Sequence, residues 1–238
     1  MATSGTTVFS VSRDSIINAA LRGLHVYGPT DSIPPADITY CAEALNIMVK
    51  AWAIKGMLVW TVGQVAVPMV ANQATYLIGP TATGIGSVVT NLPMRVFSAF
   101  MRDSTGNDVD IKVESRFDYN LLGQKASTGR PNQMFYDKSF PNGTVTLYNV
   151  PIDNTYTLFL TTQRQIQDFN LSTDNPDFPQ EFYQALKWGL MDEIALEYEA
   201  TAMTMKIVAM KAAKYVDDLV SYEQEDASVQ FTPSSRSY

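Results

Sequence analysis

The sequence predicts an α+β protein: a helical bundle formed by the N-terminal and C-terminal helices, with a β-rich, antiparallel insertion in the middle. Apolar residues recur at intervals of three and four before residue 58 and again after residue 174, the spacing of one helix face. Between these points the apolar runs are short, alternating and bounded by turn residues, as in strands. The return to helix is marked by Asp174-Asn-Pro-Asp-Phe-Pro-Gln-Glu-Phe-Tyr, where Pro176 and Pro179 push the residues before them toward extended backbone. The expected organisation is a helical body of residues 1–58 and 174–226, a β-rich insertion of 59–173, and an extended C-terminal tail of 227–238.

The first helix begins after Ser12, whose hydroxyl suits an N-cap, and has Asp14 in its first turn. Ile16, Ile17, Ala20, Leu21 and Leu24 form its apolar face, and Gly28-Pro29 ends it. In the second helix Ile38, Cys41, Ala42, Leu45, Met48, Val49 and Trp52 keep a regular helical period up to a stop at Gly56. Strands are expected at 65–70, 75–78, 94–101, 109–113, 133–136, 145–150 and 156–162, with a short helix at 115–122. The segments at 133–137, 144–148 and 155–160, joined by turns at Pro141-Asn-Gly143 and Pro151-Ile-Asp-Asn154, read as a three-stranded antiparallel meander.

A helix starting near Pro179 and continuing toward Glu199 carries two apolar stripes, Phe182, Leu186, Leu190, Ile194 and Trp188, Met191, Ala195, Tyr198. A helix apolar over so much of its circumference is buried on more than one side. The last helix, about 201–222, places Val208, Ala212, Tyr215, Leu219 and Tyr222 in one stripe. Its residues 206–214 carry only positive charge, Lys206, Lys211 and Lys214, whereas the preceding helix carries Asp192, Glu193, Glu197 and Glu199. Opposite charges of this kind suit antiparallel neighbours or adjacent subunits, at about 0 to 1 kcal/mol per exposed pair.

Composition narrows the chemistry. With 238 residues, 46% hydrophobic and 17% charged, the chain is long enough for one large domain or two small ones. One cysteine, Cys41, excludes an intramolecular disulfide, and its place on an apolar helix face predicts a buried thiol. One histidine, His25, argues against zinc hydrolases and His-based triads, and its place at a helix end points to capping or packing. A net charge of -7 opposes tight DNA binding, which depends on cations displacing counterions from phosphate.

Gly84-Ile-Gly86-Ser lacks both the lysine of a phosphate loop and the third glycine of a dinucleotide fingerprint, so no cofactor is expected. No export signal and no apolar stretch near the roughly 18 residues of a membrane span is visible, so membrane insertion is not expected. Asp174 with Asp177 or Glu181 is the carboxylate pair available for acid–base cleavage of a glycoside, a weak signal in so acidic a chain.

Three blocks of residues resemble the head-to-tail connector, or adaptor, proteins of short-tailed bacteriophages, the tail accessory factor family. The first is Ala44-Leu-Asn-Ile-Met-Val-Lys-Ala-Trp52 with Gly56 and Trp60-Thr61. The second is Gly129-Arg-Pro131 with Tyr136 and the run from Thr144 to Pro151. The third is Tyr156-Thr-Leu-Phe-Leu-Thr-Thr-Gln-Arg164 with Asp168-Phe169, continuing from Asp174 through Trp188. Where familiar members continue with another acidic-aliphatic helix, this chain carries Met203, Met205 and Met210.

The resemblance implies a non-enzymatic virion protein at the head–tail junction, assembled in the host cytoplasm. It implies a homo-oligomeric ring, a dodecamer, bound to the portal on one side and to a downstream tail or nozzle protein on the other. Double-stranded DNA would pass through the lumen without tight binding. Gln230, Phe231, Pro233, Arg236 and Tyr238 are then candidates for a portal-docking tail. Trp188, Met191, Met203, Met205, Lys206, Met210, Lys211 and Lys214 are candidates for the subunit interface. The alternatives are a tail tube or other ring protein of the tail, and a peptidoglycan-cleaving virion enzyme.

Overall fold

The computed structural model describes residues 5–7, 9–54 and 59–222. The chain divides into two compact units, Met1–Val59 with Gln167–Tyr238 and Trp60–Ile166.

In the first unit, α1 (Arg13–Gly23) starts where predicted, with the Ser12 hydroxyl accepting from the Ser15 N–H at 3.3 Å. Two further α1 donors are met from loop 170–174: Arg13 N–H reaches the Asp174 carbonyl at 2.8 Å, and Asp14 N–H the Ser172 carbonyl at 3.3 Å. This answers the shortage of partners at a helix start. At its other end His25 adopts φ 62, and Val26 N–H returns to the Leu21 carbonyl, so the histidine occupies the left-handed position of the helix stop.

The second helix, α2 (Pro35–Ile54), buries Cys41, Leu45, Met48, Val49 and Trp52. Burial raises the Cys41 thiol above its ordinary value. Gly56, the predicted stop, lies outside the described residues.

A 3-10 turn, Gln180–Phe182, follows Pro179 and leads into α4 (Tyr183–Ile194). That helix packs against α1, α2 and α5 (Ala202–Tyr222), so it is covered on several sides, as its two stripes require. It is shorter than expected, because the chain turns after Ile194. Glu199 takes φ 49, and Ala200 N–H returns to the Ala195 carbonyl. Thr201 then caps α5 by accepting from the Thr204 N–H at 3.2 Å.

The second unit holds β1 (Val62–Pro68), β2 (Thr75–Gly79), β3 (Val88–Val89), β4 (Arg95–Arg102), β5 (Asp108–Glu114), α3 (Arg116–Leu121), β6 (Thr128–Gly129), β7 (Gln133–Asp137), β8 (Gly143–Tyr148), β9 (Val150–Pro151) and β10 (Thr157–Gln163). Eight strands form one sheet in the order β1-β10-β4-β5-β7-β8-β2-β3, nearly closed into a barrel, and β6 pairs with β9. Alternate side chains fill its interior, among them Val67, Tyr76, Ile78, Met101, Ile111, Met134, Leu147, Leu158 and Leu160. Gly86, at φ +69, is needed beneath Tyr76: a Cβ there would sit 2.8 Å from the Tyr76 ring.

The expected fold class is corrected by this sheet. Among the described residues the chain forms a large mixed eight-stranded sheet and five helices, not a helical bundle carrying an antiparallel insertion. Pairing of β5 with β7, and of β2 with β3, is parallel. The physical cause at β5 and β7 is α3: a helical connection returns the chain to the starting end, so the next strand enters in the same direction. The expected meander is corrected too. While β7 and β8 form an antiparallel pair, β10 leaves them and lies between β1 and β4. The edge of β8 that it would have used is taken by β2.

Candidate assembly surface

The first and third resemblance blocks meet inside the helical unit. From α2, the Asn46 amide donates to the Phe169 carbonyl at 3.1 Å and accepts from the Phe169 N–H at 2.9 Å. One turn on, Lys50 pairs with Asp168 at 2.5 Å. Asp174 completes the loop: its carboxylate accepts from the N–H groups of Leu171 at 2.6 Å and Asn170 at 2.8 Å. These hydrogen bonds, that from Leu171 foremost, hold its pKa below the ordinary carboxylate value. Asp177 accepts from the Gln167 N–H at 3.2 Å, and Glu181 faces the Gln180 amide at 3.4 Å. The predicted carboxylate group is therefore engaged in shaping the loop, and Asp174 is shifted in the direction opposite to a general acid's need.

The interface candidates on α4 and α5 are placed unequally. Met191 is buried at 1% exposure and packs against α1: a Cβ on Gly23 would fall 2.8 Å from its methyl group. Trp188 is half-buried, stacked on Tyr215 at 6.5 Å and 18° between planes. Two lysines flank its ring, Lys211 with Nζ at 4.3 Å and Lys187 at 5.5 Å from the centroid. Met205 is half-buried, whereas Met203 and Met210 are 73% and 65% exposed, and Lys206, Lys211 and Lys214 lie at the surface. The tail candidates Gln230, Phe231, Pro233, Arg236 and Tyr238, with the whole 227–238 segment, lie outside the described residues.

On α5, Val208, Ala212 and Leu219 face inward, while Met203, Ile207, Met210 and Lys214 follow each other at four, three and four residues on the outward side. Beside this stripe a cleft of about 340 Å³ opens between α2, α4 and α5. Its lining includes Met48, Trp52, Gly189, Ala212 and Val216, with Asp192, Glu193 and Asp217 among the acidic side chains there. Gly189 allows this approach of helices, since a Cβ would stand 2.8 Å from both Met48 Sδ and Trp52 Cζ2. The sequence reading missed the cleft, although a glycine inside a strongly apolar helix was its available signal.

Opposite charges on α4 and α5 do not neutralise one another within the chain. Among the described residues, Lys206, Lys211, Lys214, Asp192, Glu193 and Asp217 form no ion pair. Glu197 instead accepts from the Tyr40 hydroxyl, which this bond pushes up to about 12.

Among the described residues no group of three or more His, Cys, Asp or Glu side chains is arranged to hold a metal, and no helix is long and apolar enough to cross a membrane. No protein-family model matches the chain, and no curated protein is significantly similar to it.

Proposed function

We propose that the chain is a structural virion protein, a head-to-tail connector that forms a ring beneath the portal. In this role it extends the DNA channel, helps close the packaged head and presents the attachment site for the next tail component. It acts as a scaffold rather than an enzyme, at the head–tail junction after assembly in the host cytoplasm. The observation that carries the reading is the outward stripe of Met203, Ile207, Met210 and Lys214 on α5, with Lys206 beside it and neither lysine in an ion pair among the described residues, a face suited to assembly rather than catalysis.

The resemblance supplies the kind of assembly. Two of its blocks come together in the Asn46–Phe169 and Lys50–Asp168 contacts, which fit a role in shaping the helical unit. The net charge of -7 fits a channel that lets DNA slide.

Co-sedimentation with the purified cognate portal tests the proposal. Binding in a fixed ratio, retained when Asp174→Asn removes the Asp174 carboxylate, is the expected result. Failure to bind, together with peptidoglycan cleavage lost on that substitution, would favour the enzyme instead.

A further inference from the structure

The geometry points to a head-to-tail contact between copies of this chain, in which the basic methionine stripe of α5 on one copy enters the acidic-rimmed cleft between α2, α4 and α5 on the next. The stripe presents Met203, Ile207 and Met210 alongside Lys206 and Lys214. Apolar atoms of Met48, Trp52 and Val216 line the cleft together with the carboxylates of Asp192, Glu193 and Asp217. Each surface therefore offers a match for the other: exposed apolar side chains for the apolar part of a mixed hollow, and cations for its carboxylates.

Charge selects the occupant. An acidic partner would be repelled by the cleft, and a generic apolar one would leave its rim unpaired, whereas α5 of a second copy satisfies both. The stripe cannot serve its own cleft, because both lie on α5 and the stripe points away from the inward face of Val208, Ala212 and Leu219. Methionine suits such a contact, since its flexible side chain adapts to small differences in geometry between neighbours. Stripe and cleft are different surfaces, so the contact is heterologous and continues from copy to copy. This deepens the proposed connector role and rests on it only for closure of that series into a ring.

Sedimentation velocity on the full chain, from low micromolar to several hundred micromolar, tests the contact. Wild type is expected to associate with rising concentration and to weaken as salt is raised. Lys206→Glu with Lys214→Glu should raise the dissociation constant at least tenfold, and so should Asp192→Lys with Asp217→Lys. All four substituted residues are exposed, and circular dichroism checks that each variant stays folded. Mixing the two variants should restore association, because each then meets a complementary neighbour.

A wild-type chain that stays monomeric throughout, or variants that associate as wild type does, would overturn the inference. A monomeric chain that still stacks as a ring on the portal would overturn this contact alone. Self-association without portal binding would leave the contact and remove the connector reading.

Discussion

The side-chain amide of Asn46 closes both hydrogen bonds of the Phe169 backbone, donating to its carbonyl and accepting from its N–H. Phe169 is 4% exposed, so water cannot replace a lost partner easily. Asn46→Ala should therefore lower stability by about 2 kcal/mol, the scale of leaving buried backbone groups unsatisfied. Urea unfolding measures this, and faster exchange of the Phe169 amide would locate the damage. Unchanged stability and exchange would mean that the loop is held by other contacts.

Gly189 is a second point where one atom matters. An added methyl would meet Met48 and the Trp52 ring at 2.8 Å, and the ring has little freedom to withdraw. Gly189→Ala is expected to destabilise by about 1–3 kcal/mol, the usual range for overpacking, despite alanine's better helix propensity. Adding Met48→Ala should recover part of the loss, a coupling that a double-mutant cycle reads directly. Additive effects would contradict the contact.

The surroundings of Trp188 join α4 to α5. Its ring is half-buried against Tyr215, with Lys211 above it, so Trp188→Ala should cost about 2 kcal/mol, below the roughly 3–5 kcal/mol of a fully buried aromatic. Lys211→Ala should cost no more than about 1 kcal/mol, as the cation is exposed. Thermal unfolding of both variants tests the order, and a larger loss at Lys211 would reverse the account.

Helix starts were legible because a cap is local. Ser12 and Ser115 lie at the expected helix starts, and both accept an N–H three residues on. The place of β10 was not legible. Leu158 and Leu160 reveal an inward face by alternation, but alternation does not name the neighbouring strands. Likewise, the short helix expected at 115–122 is present as Arg116–Leu121, but its sequence does not reveal that it is the connection that makes β5 and β7 parallel. At the candidate assembly surface the opposite signs of α4 and α5 could be read from sequence. The cleft could not, because it depends on how closely Trp52 and Met48 approach Gly189.

The turn after β4 offers a pH test. Asp103 accepts from the Thr105 hydroxyl at 2.6 Å and N–H at 2.8 Å and from the Asn107 N–H at 3.0 Å, which lowers its carboxyl to about 2 from the ordinary 3.8, the Thr105 hydroxyl contributing most. A depressed acid stabilises the folded turn fully above the unfolded value and loses this contribution as pH falls from about 3.8 toward 2. NMR titration should place the Asp103 midpoint near the low value, and Thr105→Val should move it upward. A midpoint near 3.8 in the wild type would show that the turn does not hold the carboxylate.

The central claim is that this chain assembles as a ring on the portal. Electron microscopy of the purified protein, alone and after mixing with the cognate portal, tests it most directly. The account predicts a ring of this chain stacked coaxially on the portal, continuing its channel. An intact portal with no added density, beside a chain that remains separate, would contradict it.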